Sequence, residues 1–303
     1  MRRWLSLTPF DALLLLMVLI WGANYSVVKS AIREIPPQAF NALRMGVASA
    51  VFLAALLATG LPRIARSDWA RLAVLGTVGH FIYQVCFMGG LARTTASNSA
   101  LIIGCSPVAV SIASALAGHE RVPRSQWAGV LLSIFGVYLV VGTGAEFGGS
   151  SLVGDLLTLC AVGCWAVYTV GSRPLLARYS PLAVTGVTMI FGTMLYGPAS
   201  ASPLAQVRWA AVPAWAWIAT VLSAVLALNV AYLIWYTSVQ RIGNVRTSSY
   251  SNLIPVVAIA VATVALGEAV TAGKLAGAGA ILLGVATTRM AARRHAAEPP
   301  AEE

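Results

Sequence analysis

Six groups of aromatic, amide and hydroxyl side chains interrupt an otherwise apolar sequence. They are Trp21, Asn24 and Tyr25; His80, Tyr83 and Gln84; Asn98 and Ser99; Trp165 and Tyr168; Asn229 and Tyr232; and Ser251 and Asn252. Tryptophan and tyrosine offer a flat apolar face with a polar tip, and the face also attracts an ammonium group. Asparagine and glutamine amides donate and accept, which suits a carboxylate or an amine. The set can therefore hold a small amphipathic molecule. For each aromatic taken singly, a packed core or a place in an interface belt is the alternative. The Trp21 and Trp165 pair carries more weight, because both stand mid-run at equivalent positions of the repeat set out below.

Charges at depth are few. Arg44 lies about six residues into its apolar run, roughly 9 Å along a helix. It either neutralises a carboxylate near the outer mouth or serves as a snorkelling or interhelical partner. His80 is the one side chain at depth that titrates near neutral pH, which leaves proton coupling and a hydrogen-bonded cavity histidine both open. No Asp or Glu stands mid-run. No phosphate-cradling loop, His–Glu metal helix or serine elbow is present, so neither an enzyme nor a bound cofactor is expected. Cys86, Cys105, Cys160 and Cys164 fall in apolar runs without His or Asp at ligand spacing; buried free thiols are expected, and no metal site.

The elements that position these residues follow from composition. Of 303 residues 58% are hydrophobic and only 10% charged, against about 25% charged in a soluble domain. Too few charges remain to wet a surface, so the bilayer is the solvent. Apolar runs cover about 11–32, 38–58, 71–92, 96–117, 125–142, 153–174, 181–199, 213–238, 244–266 and 272–290. Each is long enough for a spanning helix of about 20 residues and lacks the alternation of a barrel strand.

The net charge of +10 is spread singly or in pairs, which marks loops rather than a nucleic-acid surface. With the N-terminus inside, the outer segments hold Lys29, Arg33, Arg93, Arg208 and Lys274. Every other Lys or Arg except Arg44 then falls on the inner side, so both termini are expected in the cytoplasm.

A repeat runs through the chain. Asp11, Trp21, Pro37 and Met45 recur 144 residues on as Asp155, Trp165, Pro181 and Met189. Arg93, Pro107, Glu120, Gly129 and Gly136 recur 148 residues on as Arg241, Pro255, Glu268, Gly277 and Gly284. The unit is five helices, and an odd number inverts the second copy across the membrane, as in many secondary transporters. Pro107 and Pro255 fall inside the fourth and ninth runs. There each is expected to deprive a carbonyl, of Ile103 or Ser251, of its partner and to act as a hinge or a packing kink. Polar residues concentrate on helices 1, 3, 4, 6, 8 and 9, which should line a cavity; the other four serve as scaffold. Glu120 and Glu268 close helices 4 and 9 on opposite sides, as caps or ion-pair partners. Lys29 reads as interfacial. Gly273 and Gly277 form a GxxxG pattern, suited to a dimer or to packing within one chain.

The residues reached here carry a family resemblance. They include Trp21-Gly22-Ala23-Asn24-Tyr25-Ser26-Val27-Val28-Lys29, then Pro37, Phe40 and Arg44, Ala96 to Pro107, Glu120, and Gly129 to Gly136. The second half matches through Gly154-Asp155, Trp165-Ala166-Val167-Tyr168, Pro255, Gly267-Glu268 and Gly277 to Gly284. Together, from about residue 11 to 290, they resemble the EamA-type members of the drug/metabolite transporter superfamily, most of all the aromatic amino acid exporters of the YddG type. The resemblance implies a ten-helix carrier of small organic solutes.

The combined expectation is an all-α membrane protein of ten transmembrane helices, two inverted five-helix repeats around a central cavity. Residues 1–142 form the first repeat, 143–152 a linker, 153–290 the second repeat and 291–303 a cytoplasmic tail. It is expected in the cell inner (plasma) membrane as a monomer or weak homodimer, its partners being lipid and a small solute and not nucleic acid. It would export aromatic or other neutral amino acids by alternating access; the alternatives are another solute (a nucleobase, sugar derivative or cationic drug) or a non-transporting scaffold or receptor.

Overall fold

The computed structural model describes residues 9–117, 124–144, 150–242, 247 and 250–297, and every regular element among them is helical. Glu120 lies outside the described residues. In chain order the main helices are α1 (Pro9–Ala31), α2 (Pro37–Thr59), α3 (Arg66–Arg93), α4 (Ala96–Leu116) and α5 (Arg124–Gly144). They continue as α6 (Ser150–Leu176), α7 (Pro181–Ala199), α8 (Ala214–Arg241), α9 (Ile254–Leu266) and α10 (Ala272–Ala297). Among the described residues seven helices, α1 to α4 and α6 to α8, are long and apolar enough to cross a bilayer. At 1.5 Å per residue such lengths cover a hydrocarbon core of about 30 Å. The outer faces of the helices fit lipid: Leu116 of α4 and Val264 of α9 are 85% and 88% exposed, which water would penalise and lipid does not.

Local chemistry sets the ends. Pro37 and Pro181 open α2 and α7, where a missing N–H costs nothing. Thr95 and Ser180 cap α4 and α7 through the amides of Asn98 and Ala183. Gly267, at φ 66°, ends α9 in a left-handed conformation that favours glycine.

Two helices carry π-helical stretches, Thr77–Ile82 in α3 and Ser223–Val230 in α8. Residues 225–230 lie 148 positions beyond 77–82, the offset of the sequence repeat. Two breaks match as well: Gly104–Cys105 within α4, and Asn252–Leu253 before α9. These breaks correct the expectation for the prolines. Pro107 and Pro255 stand in the first turn of a new helix segment, where proline is tolerated, and not inside a continuous one. The Ile103 carbonyl is not orphaned, because it accepts from Ser106 Oγ at 2.5 Å.

Small residues bring backbones together. A Cβ at Gly136 would collide with the Gly277 carbonyl, and one at Gly284 with the Gly129 carbonyl, so α5 and α10 touch along glycine. Gly277 is thus used within the chain. A Cβ at Gly90 would strike Thr158 and the Gly154 carbonyl, placing α3 and α6 at backbone contact. Three contacts join residues separated by a repeat offset. Trp21 packs on Trp165 with centroids 6.0 Å apart, Ser49 Oγ meets Thr193 Oγ1 at 2.7 Å, and Ser133 Oγ donates to the Ile281 carbonyl at 3.5 Å.

Candidate solute site

An aromatic cluster fills the middle of the bundle. Trp21 from α1 meets Trp165 from α6 edge-on and Tyr232 from α8 at 5.8 Å. Trp165 lies 5.6 Å from Tyr232 and 5.9 Å from Tyr83. His80 lies 4.9 Å from Tyr168 and 5.7 Å from Tyr232. Tyr25 joins through Phe87, which stacks on Tyr83. Offset and edge-on rings are the favourable arrangement. Trp21 is fixed further by donating its indole N–H to the Ala227 carbonyl in the π-helical stretch of α8, at 3.0 Å.

Beside the rings lies a buried charge. Arg44, 1% exposed, donates to Gln84 Oε1 at 2.8 Å, Asn41 Oδ1 at 3.1 Å and Ser223 Oγ at 3.3 Å. Ser223 in turn donates to Asn24 Oδ1 at 2.6 Å, one turn from Trp21. None of the ion pairs among the described residues involves Arg44. An ion buried against neutral dipoles alone is expensive.

His80 Nε2 and Tyr168 OH both meet Thr188 Oγ1, at 3.2 Å and 2.9 Å. His80 Nδ1 and the indole nitrogen of Trp235, whose ring lies 5.7 Å from Trp21, are buried without a protein partner. Such atoms are rare unless water or a ligand serves them.

The structure thus joins Trp21, Asn24, Tyr25, His80, Tyr83, Gln84, Trp165, Tyr168 and Tyr232 with Arg44. Other expected residues stand elsewhere. Asn229 donates to the Ala48 carbonyl of α2 at 2.9 Å. Asn98 and Ser99 occupy the start of α4, and Ser251 and Asn252 lie at the break before α9. Sequence reasoning treated helices 2 and 7 as scaffold while singling out Arg44 of helix 2; they supply Asn41 and Thr188 as well. It also passed over Ser223 and Trp235. The signal for Thr188 was present, since it stands 144 residues beyond Arg44.

The rings pack closely, and a cavity lies to one side of them. A cavity of about 240 Å³ is lined by Thr169, Arg173, Leu176, Ala177, Tyr236, Val239 and Gln240. Tyr236 belongs to both the cavity wall and the cluster, at 5.7 Å from Tyr168 and 6.3 Å from Tyr232.

The opposite end of the bundle is tied. Lys29 is not a free interfacial cation; its Nζ donates to the carbonyls of Leu91 and Thr94 at 2.6 Å and of Ala92 at 3.3 Å. Glu268 accepts from the amides of Ala96 and Ser97 and from Ser97 Oγ, capping α4, and lies 4.0 Å from Lys274. Thr94 donates to Asp155 of α6 at 2.6 Å. The cysteines are free, and Cys160 is exposed rather than buried. No metal-ligating cluster occurs among the described residues.

Long apolar helices around a buried polar and aromatic centre define a multi-pass membrane protein. The model of the EamA-like transporter family matches residues 8–142 and again 152–290; the chain belongs to that family, a family of transporters and not of enzymes. It is 30% identical over 271 residues to the uncharacterized transporter YyaM of Bacillus subtilis (strain 168), covering 88% of each chain. It is 29% identical to a protein of Streptantibioticus cattleyicolor described as a probable terminal-alkyne amino-acid exporter, covering 94% of this chain and 96% of that one. A solved crystal structure 22% identical in sequence superposes with a TM-score of 0.67, covering 96% of this chain and 99% of that one, a likeness of fold.

Proposed function

We propose that the chain is a secondary transporter of the cell inner (plasma) membrane that exports small amphipathic metabolites, aromatic or other neutral amino acids above all, by alternating access. In this reading ten helices cross the membrane with both termini in the cytoplasm. Residues 1–142 and 153–290 are two inverted five-helix repeats, joined by 143–152 and followed by the tail 291–303. The paired π-helical stretches, the paired breaks and the two family matches favour it. A residue that touches its own copy lies on the axis relating the copies. Trp21 with Trp165, and Ser49 with Thr193, are such pairs, so the axis runs through the aromatic cluster, where a midplane solute site belongs. The breaks ahead of Pro107 and Pro255 are the natural hinges.

The observation that carries the solute class is Arg44. Its buried guanidinium meets only neutral side chains among the described residues, beside rings suited to an aromatic side chain. A solute carboxylate supplies the missing counter-charge, and the unpartnered His80 Nδ1 and Trp235 Nε1 suit its polar remainder. The amino-acid exporter among the relatives agrees with this class.

Calorimetric binding to the purified protein tests it. Phenylalanine is expected to bind at least about tenfold more tightly than phenethylamine, which lacks the carboxylate, the scale of one charge-assisted hydrogen bond. Arg44→Gln, shown to be folded, should erase that preference. Equal binding of both compounds to the parent protein would remove the carboxylate assignment.

A further inference from the structure

Hydrogen bonding fixes the tautomer of the buried imidazole. His80 lies in the π-helical stretch of α3 and is fully buried. Its Nε2 and the Tyr168 hydroxyl both meet Thr188 Oγ1, at 3.2 Å and 2.9 Å. A threonine hydroxyl has one proton to give and two lone pairs to receive with. The Thr188 proton is already placed, since Oγ1 lies 2.7 Å from the Val184 carbonyl, and a carbonyl only accepts. Thr188 therefore accepts from both neighbours: the Tyr168 hydroxyl donates, and so does Nε2. No ion pair among the described residues involves His80, and a charged ring would be a second unpaired cation beside Arg44, which burial penalises. The ring is neutral, and a neutral imidazole that donates from Nε2 keeps a bare lone pair on Nδ1. That Nδ1 is buried without a protein partner. It is an acceptor in want of a donor.

We infer that His80 Nδ1 receives the ammonium group of the solute, and that Thr188 is the positioning residue that holds the ring in its accepting tautomer. The assignment deepens the solute reading above and rests on it. The place is suited to a zwitterion. His80 stands one turn before Gln84 on α3, about 6 Å along the axis, and Gln84 Oε1 accepts from Arg44 at 2.8 Å. An α-amino acid carries its carboxylate and its ammonium on one carbon, so the two heads meet Arg44 and His80 from a single position. Tyr168 and Tyr232 flank the imidazole at 4.9 Å and 5.7 Å, and aromatic rings attract a cation. Arg44 reads the carboxylate and His80 the ammonium. A carboxylic acid or an amine alone satisfies half of the site.

Nitrogen magnetic resonance of the full chain in lipid nanodiscs reads the tautomer. His119 and His295, the other two histidines, are replaced by Gln so that isotope-labelled His80 reports alone. The free protein should show a protonated Nε2 and a bare Nδ1; a protonated Nδ1 overturns the assignment. Phenylalanine and phenethylamine both carry the ammonium, and each should move the Nδ1 resonance toward the protonated position. Hydrocinnamate, which lacks it, should leave the resonance in place. A resonance that neither amine moves means that water alone serves Nδ1, and overturns the assignment as well. Thr188→Val should release the ring into a mixture of tautomers. By calorimetry the parent should bind phenylalanine at least about tenfold more tightly than hydrocinnamate, the scale of one hydrogen bond to a charged group. His80→Leu should lose that preference, and His80→Asn, which keeps an acceptor oxygen near the place of Nδ1, should recover part of it. Both should still favour phenylalanine over phenethylamine, the preference set by Arg44. A preference over hydrocinnamate that survives in folded His80→Leu overturns the role of His80 and leaves that of Arg44 standing. An amine-induced shift at Nδ1 in protein that does not favour phenylalanine over phenethylamine keeps His80 and discards the carboxylate. Should His80→Leu not fold, the resonance of His80 itself decides.

Discussion

The two ends of the bundle are built from corresponding stretches of sequence and are held differently. At the Lys29 end the junction of α3 and α4 is gripped from three sides: by Lys29 of α1, by Asp155 of α6 and by Glu268 beyond α9. Backbone contact at Gly90 seals α3 on α6. At the Arg173 end Asp11 meets Tyr250 and Asp68 meets Arg178 and Tyr179, while a cavity lies between α6 and α8, with Gln240 donating to the Leu176 carbonyl at its rim. Like sequence in unlike packing is what the proposed alternating access requires. It places the difference in conformation rather than composition.

Substitutions at matched positions sharpen that contrast. The largest effect belongs to Gly90→Val, which forces a side chain into Thr158 and the Gly154 carbonyl. Overpacking of this kind costs about 1–3 kcal/mol, and thermal unfolding in detergent should show it. Its counterpart 148 residues on, Ser238, has a buried hydroxyl without a partner, so Ser238→Ala should be near neutral. Equal losses at both sites would mean the ends are alike.

Glu268→Gln comes next. It removes the charge from the cap of α4, a loss of roughly 1–2 kcal/mol, and should loosen the Lys29 end, seen as faster amide exchange at Ala96 and Ser97. Unaltered exchange would show the cap to be passive. Ser49→Ala, which deletes the hydroxyl pair with Thr193, should cost least. Polar pairs between membrane helices average about 0.6 kcal/mol, measurable by unfolding from mixed micelles.

Much of this was legible in the sequence, and the reasons it stopped are physical. Run lengths gave the seven membrane-length helices α1 to α4 and α6 to α8, because bilayer thickness fixes such lengths. The offsets of 144 and 148 tied Trp21 to Trp165 and Pro107 to Pro255, and Glu268 read as a cap. The π-helical stretches were invisible, since a uniformly apolar run has no periodicity to shift. The helix breaks were missed because proline alone does not reveal whether a helix bends or restarts. Lys29 read as interfacial because its partners are backbone carbonyls, which carry no side-chain signature. Thr188 of helix 7 was passed over for the same kind of reason: it is a single polar residue whose importance lies in what reaches it from α3 and α6.

The most direct test is counterflow in proteoliposomes holding only this protein, preloaded with unlabelled phenylalanine and given a labelled trace outside. The account predicts uptake above empty liposomes, suppressed by tryptophan and not by phenethylamine. Folded protein that exchanges none of phenylalanine, tryptophan, methionine or threonine would contradict it.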